Sequence, residues 1–223
     1  MHVSLCRAIE LVFRKECRLA LRTKSSWLVI LMFALTTLSC VSLLLQGDRL
    51  TPRILAAMLW VILFFSLLAG ADRSFADEEA AGTLPALLIY GSSQAVLFGK
   101  ILFMAALLFG LGLLILPVYL VLMDGEARSL LVLLSTLLCG TYGMAAAGTL
   151  LSALMTGASA PGGLLSILML PVMLPILLPA IVLTAGCLGG AFPSLSYLFG
   201  MLLYDAILTV ASSLLFDQLW YEE

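Results

Sequence analysis

The sequence LLSILMLPVMLPILLPAIVLTA, residues 164–185, contains no charged side chain and is long enough to cross a lipid bilayer as one helix. The hydrocarbon core of a bilayer is about 30 Å thick and requires about 20 apolar residues per helix. Further apolar segments of this kind occupy residues 26–45, 54–71, 96–123, 130–151 and 197–216. We therefore predict an all-α protein in which residues 1–223 form a single membrane bundle of about six transmembrane helices.

The composition of the whole chain agrees with a membrane protein. Of its 223 residues, 63% are hydrophobic and 11% are charged, whereas a soluble domain carries about 25% charged residues. The cysteines form no C-x-x-C pair and the lone histidine is His2 at the N-terminus. We therefore expect no disulfide framework, no metal site and no bound cofactor. The basic residues cluster beside a membrane span, which argues against a nucleic-acid partner.

The distribution of Lys and Arg predicts the orientation of the bundle, because cytoplasmic segments carry the excess of these residues. Most of them fall on the side of the N-terminus: Arg7, Arg14, Lys15, Arg18, Arg22, Lys24, Arg73 and Lys100. Fewer fall on the other side: Arg49, Arg53 and Arg128. We predict a multi-pass protein of the bacterial inner membrane with both termini in the cytoplasm, which places the polar segment 72–95 in the cytoplasm as well.

Residues 1–24 combine basic side chains with apolar ones that recur every three to four positions, such as Ile9, Val12 and Phe13. This pattern is typical of an amphipathic helix that lies in the membrane interface with its basic face toward anionic headgroups. A solvated basic tail that only sets the orientation is the alternative.

The longest polar insertion, residues 72–95, contains the acidic run Asp77-Glu78-Glu79 near its start. Gly82 is expected to break the helix, and Thr83 is a suitable N-cap for a short apolar helix over Leu84–Tyr90. An exposed apolar patch flanked by charge usually marks an interaction surface. A short helix lying in the headgroup plane, in contact with lipid alone, fits the same residues equally well.

This insertion resembles the signature of ABC-2-type exporter permeases in Phe75, Asp77-Glu78-Glu79, Gly82-Thr83-Leu84 and Gly99-Lys100. In that family the segment between the second and third spans is a coupling helix that docks on a separate ATPase subunit. The resemblance therefore implies an ATPase-coupling role for Phe75, Asp77, Glu78, Glu79, Gly82, Thr83 and Leu84. The basic head also resembles the interfacial helix of these exporters.

Within that superfamily the chain resembles the haem exporter protein B (CcmB) family of the cytochrome c maturation system. The resemblance lies in the short chain, in Asp72-Arg73 before Phe75, and in residues 164–176. Ala81 and Pro85 depart from the family pattern, which usually has acidic residues at these two positions.

The resemblance implies a permease subunit that handles haem as cargo without binding a cofactor of its own, and that is driven by ATP bound to a partner. The implied partners are an ABC ATPase (CcmA-like), a haem-binding membrane protein (CcmC-like), a small membrane subunit (CcmD-like) and a periplasmic haem chaperone (CcmE-like). The sequence lacks the G-x-x-x-x-G-K-[ST] loop and the H-E-x-x-H and G-x-S-x-G motifs, so we predict a non-catalytic subunit. A permease for a lipid, drug or polysaccharide, or a membrane assembly scaffold, remains an alternative.

Two features inside the predicted spans are candidate functional residues. Pro171, Pro175 and Pro179 fall on one face of the helix, and each removes an intrahelical hydrogen bond. The carbonyls left without a donor must find partners in the bundle, in a partner subunit or in a wet cavity. The prolines form either a static kink or a hinge or pathway. Asp205, near the middle of the last span, should face protein or water, since a carboxylate in lipid is costly.

Small residues in the fourth span, including Gly140 and Gly143, predict close helix packing within the bundle or at a dimer seam.

Overall fold

The structure is a computed structural model, and it describes residues 5–22, 24–45, 50–71, 82, 92–122, 128–155, 164–190 and 194–222. The described residues form helices and no strand, which confirms the predicted all-α class. In chain order the helices are α1 (Leu5–Arg22), α2 (Lys24–Leu45), α3 (Pro52–Ala71), α4 (Ser93–Leu122), α5 (Leu130–Met155), α6 (Leu164–Cys187) and α7 (Ser196–Glu222).

Helices α3 to α7 are each long and apolar enough to cross a membrane. The stretches that qualify are Pro52–Ala71, Ser93–Val121, Leu130–Met155, Ile167–Cys187 and Ser196–Gln218. In α2 the apolar stretch found among the described residues, Ile30–Leu43, is shorter than a full span. The five long apolar helices are consistent with the predicted polytopic membrane bundle, and the sixth span, in α2, stays a prediction.

Local sequence signals set where the helices begin and end. Pro52 opens α3 at a position where the missing N–H costs nothing, and the Leu55 N–H donates to the Thr51 carbonyl over 3.1 Å. Helix α6 is followed by a left-handed glycine, Gly189, with φ of +102°. The Gly190 N–H then donates to the Ala185 carbonyl over 2.9 Å, the arrangement of a Schellman cap.

Helix α5 lies at the centre of the bundle, and every residue from Gly143 to Ser152 is buried. Large side chains of α3 pack against the glycines of α5: the Trp60 ring lies against Gly140, and Leu67 lies against Gly148. The Trp60 Nε1–H also donates to Thr184 Oγ1 of α6 over 3.0 Å. The small residues predicted for close packing therefore make their contacts within this chain.

Contacts between helix ends define two ends of the bundle. At one end, which we call the α1 end, Ser152 Oγ donates to the Ala71 carbonyl over 2.7 Å and Gln94 Nε2 donates to Asp217 Oδ2 over 3.2 Å. At the opposite end, the Tyr119 hydroxyl donates to the Leu55 carbonyl. Segment 72–91 leaves α3 and enters α4 at the α1 end, and this position makes that end the candidate functional site.

Candidate functional site

Helix α1 is fastened to α4 by an ion pair that is almost fully removed from solvent. Lys100 Nζ of α4 lies 3.1 Å from Glu16 Oε1 of α1, and the side chains are 1% and 12% exposed. Lys15 Nζ lies 3.3 Å from the same Glu16 oxygen, on the outer side of the pair. Removing one partner of a buried pair leaves an uncompensated charge and is strongly destabilising. The pair therefore fixes where α1 lies on the bundle.

The residue before Lys100 allows the close approach that this ion pair needs. A Cβ at Gly99 would lie 2.6 Å from Val12 Cβ and 3.3 Å from the Ile9 carbonyl oxygen, both in α1. Val12 also packs against a small buried cluster at this end of the bundle: Val96, Leu97, Ile101, Ala146 and Phe216. Gly99-Lys100, which resembles part of a family signature, is thus the site at which α1 packs against α4.

The outer face of α1 carries both apolar and charged side chains. Leu11 and Leu21 are exposed, and Arg14 makes an ion pair of 2.7 Å with Glu10 that is open to solvent. On the inner side, burial and the neighbouring Glu16 carboxylate raise the pKa of the Cys17 thiol. Residues 5–22 form a helix, whereas the amphipathic character of α1 and its place in the membrane interface stay predictions.

Most of the predicted ATPase-coupling residues, namely Phe75, Asp77, Glu78, Glu79, Thr83 and Leu84, lie outside the described residues. Gly82 is described, is exposed, and has a φ of +65°. This left-handed conformation favours glycine and agrees with the helix break predicted at this position.

The two ends of segment 72–91 are held by hydrogen bonds to different helices. Ala71, the last residue of α3, accepts the bond from Ser152 of α5. Ser93 and Gln94, the first residues of α4, both donate to the Asp217 carboxylate of α7. The segment is therefore connected to α5 at one end and to α7 at the other. The sequence alone does not identify Asp217 as a site residue, because nothing near it distinguishes it from the acidic tail that follows.

The three predicted hinge or pathway prolines lie within α6, which continues as a helix from Leu164 to Cys187. Pro171 and Pro175 are exposed and Pro179 is partly exposed, so the proline face points away from the bundle core. A groove of about 440 Å³ between α6 and α7 includes Pro175 and Pro179 in its lining. The Tyr204 hydroxyl of α7 donates to the Val172 carbonyl over 3.0 Å. One carbonyl in the proline-rich stretch of α6 therefore accepts a hydrogen bond from a side chain of α7.

Asp205 of α7 points into the bundle, as expected for a carboxyl group within a span. Its side chain is 3% exposed, and neither carboxylate oxygen has a hydrogen-bond partner among the described residues. Gly143 of α5 faces it so closely that a Cβ there would collide with Asp205 Oδ1. The described residues contain no group of three or more His, Cys, Asp or Glu side chains that could hold a metal ion.

Comparisons with known proteins give one consistent result. The model of the family described as "CcmB protein" matches residues 7–215 of the chain. "Heme exporter protein B" of Haemophilus influenzae is 30% identical over 165 residues, which make up 72% of this chain and 74% of that relative. The matched region begins in α1 and extends into α7, so it includes the site residues described above except Phe216 and Asp217, which lie one and two residues beyond it.

Proposed function

Because this chain belongs to the CcmB protein family, we propose that it is the permease subunit of a haem export system, coupled to a separate ATPase, in c-type cytochrome biogenesis. The observation that carries this proposal is the family match over residues 7–215, which leaves almost none of the chain unaccounted for. The relative named for haem export and the five spans support the same conclusion. The chain is a multi-pass inner-membrane protein, and its N- and C-termini are proposed to be cytoplasmic.

The proposed coupling runs through segment 72–95 at the α1 end. In this proposal Phe75, the acidic run Asp77-Glu78-Glu79 and Gly82-Thr83-Leu84 contact the ATPase. The bonds from Ser152 to Ala71 and from Ser93 and Gln94 to Asp217 support it, since they connect both ends of the segment to the bundle. A displacement of the segment would therefore act on four helices, α3, α4, α5 and α7, and on α1 through the Glu16–Lys100 pair.

The proposed output of this movement is the release or transfer of a haem-loaded periplasmic chaperone. Haem is the cargo of the complex, and ATP is bound by the ATPase partner. The only histidine in the chain is His2 at the N-terminus, so the predicted spans offer no histidine for haem ligation. We therefore assign to this subunit the transmission of conformational work. A purified complex that passed haem through the helices of this subunit would overturn that assignment.

The decisive experiment for the cargo is deletion of the gene followed by measurement of c-type cytochrome content. We expect the deletion strain to lose c-type cytochromes and the intact gene to restore them. Unchanged cytochrome content would reject the haem export function and favour a permease for another cargo.

The decisive experiment for the coupling is charge reversal of Asp77, Glu78 and Glu79 to lysine in the full-length protein. We expect the ATPase to stop co-purifying with the variant, while the variant still inserts into the membrane. Glu10→Lys is the matched control, because Glu10 is an exposed acidic residue on α1. Unchanged co-purification of the ATPase with the triple variant would contradict the proposed docking site.

A further inference from the structure

The seam between α5 and α7 contains a carboxyl group with no bonding partner on either helix. Asp205 is 3% exposed, and both of its oxygens lack hydrogen bonds within the described part of the chain. Gly143 stands directly opposite, and Ile176 of α6 lies within 3.0 Å of the position that a Gly143 Cβ would take. The carboxyl group therefore faces a glycine backbone, and an aliphatic side chain lies close to the same point. Such surroundings strongly oppose a negative charge.

The surroundings of Asp205 also argue against a metal ion as its ligand. Cations such as Ca²⁺ and Mg²⁺ require about six oxygen ligands. Among the described residues, Asp205 belongs to no group of three or more His, Cys, Asp or Glu side chains that could hold such an ion. A single proton is the cation that satisfies a lone carboxyl group without further ligands.

We propose that Asp205 is a proton-binding site inside the membrane bundle, protonated in the arrangement seen here and ionised when α5 and α7 separate enough to admit water. On ionisation the O–H bond of the carboxyl group breaks, the proton passes to water, and the carboxylate gains hydrogen-bond donors from that water. No oxidant, reductant or other reactant is required. The site would therefore bind one proton in one arrangement of the bundle and release it in another.

Polar residues mark the route by which this proton reaches water. Thr209 and Ser212 follow Asp205 at i+4 and i+7, on the same face of α7, and Thr209 Oγ1 lies 3.1 Å from the Tyr142 hydroxyl of α5. The hydroxyl groups of Ser212 and of Thr149, on α5, are buried and have no hydrogen-bond partner among the described residues. Buried polar groups of this kind are commonly satisfied by water.

Asp217 lies further along α7, at the α1 end, and accepts hydrogen bonds from Ser93 and Gln94 of α4. The proton site and the anchor of segment 72–91 are therefore on the same helix, although Asp205 faces α5 and Asp217 is bonded to α4. A movement of α7 against its neighbours would change both at once.

Among the residues that the structure describes on α4, α5 and α6, which pack against α7, no charged side chain competes with Asp205 for this role. Its titratable neighbours are a thiol and two phenols: Cys139 and Tyr142 on α5, and Tyr204 on α7. The hydroxyls of Tyr142 and Tyr204 are engaged with Thr209 and with the Val172 carbonyl. Helix α6 carries no charged residue, and α4 carries Lys100, which is paired with Glu16 at the α1 end.

The test is infrared spectroscopy of the full-length protein in lipid nanodiscs, which detects the carbonyl stretch of a protonated carboxylic acid. At neutral pH we expect this band in the unaltered protein and in Asp217→Asn, and its loss in Asp205→Asn. Asp217→Asn is the matched control, since Asp217 lies on the same helix but has hydrogen-bond donors.

A band that is absent from the unaltered protein at neutral pH, or that persists in Asp205→Asn, would overturn the proposal. If Asp205→Asn does not fold, Asp205→Glu replaces it, and the longer side chain must then shift the frequency of the band. An unshifted band would equally reject the assignment. No cargo, ATPase or chaperone enters the measurement, so its outcome is independent of the proposed export function.

Discussion

The ion pair between Glu16 and Lys100 gives the sharpest quantitative prediction, because its two members differ in their surroundings. Lys100 is 1% exposed, whereas Glu16 is 12% exposed and keeps Lys15 at 3.3 Å. Glu16→Gln leaves the buried ammonium without its carboxylate, which costs about 3–5 kcal/mol for a pair of this kind. Lys100→Met leaves Glu16 with Lys15 beside it, and we expect a loss of about 1–2 kcal/mol.

Thermal unfolding of the full-length protein in one detergent measures this asymmetry. A chain of this size loses roughly 2–4 °C in Tm per kcal/mol, so Glu16→Gln should lower the Tm by roughly 6–20 °C. The double variant should fall close to Lys100→Met, since it removes both charges together. Glu10→Gln, which breaks the exposed pair with Arg14, serves as the control and should cost about 0.3–0.5 kcal/mol.

Two results would refute this reasoning. One is a Glu16→Gln variant that is no less stable than Lys100→Met. The other is a double variant whose loss equals the sum of the two single losses, because independent sites are additive and an interacting pair is not.

The thiol of Cys17 provides a second readout of the same contact. Burial and the Glu16 carboxylate both raise the pKa of Cys17, so its reactive thiolate forms only at higher pH. In a variant with Cys17 as its single cysteine, Glu16→Gln removes the negative charge and should move the onset of maleimide labelling to lower pH. An onset that does not move would show that Glu16 exerts no electrostatic effect on α1 at this point.

The remaining predictions concern glycines at two helix contacts. Gly99→Val should cost about 1–3 kcal/mol of stability and weaken the packing of α1 against α4. Gly110→Val in the same helix, where the space around the Cβ position is open, should lack this packing cost. Equal unfolding temperatures for the two variants would contradict the assigned contact. Gly143→Ala should be destabilising because its Cβ collides with Asp205. Adding Asp205→Ser to Gly143→Ala should restore part of the lost stability. A double variant less stable than Gly143→Ala alone would refute the contact between Gly143 and Asp205.

The architecture is predictable from the sequence because lipid imposes a simple rule on every span. A segment such as 164–185, without charge and long enough to cross the bilayer, has no stable alternative to a helix. The same rule predicts that Asp205 turns inward. The predicted packing role of Gly140 and Gly143 also holds, since helices in lipid approach through small residues.

The tertiary contacts of the site are not predictable in this way. Glu16 appears as one acidic residue in a basic head, and Lys100 as one cation in an apolar span, and no local pattern connects them. Asp217 likewise resembles an ordinary tail residue until the fold brings Ser93 and Gln94 to it. The proline face of α6 shows a related difficulty: its spacing indicates a single face, but whether that face is covered depends on the packing of the whole bundle.

The two aspartates of α7 connect the proposed coupling with the proposed proton site. Asp217 receives hydrogen bonds from the first residues of α4, where segment 72–91 ends, and Asp205, on the same helix, faces Gly143 of α5. Because a helix transmits displacement along its axis with little internal deformation, a force on Ser93 and Gln94 acts on α7 as a unit. The same displacement that follows docking at the α1 end would then open the close contact at Gly143. A permease that works in this way would link proton release at Asp205 to the movement of segment 72–91.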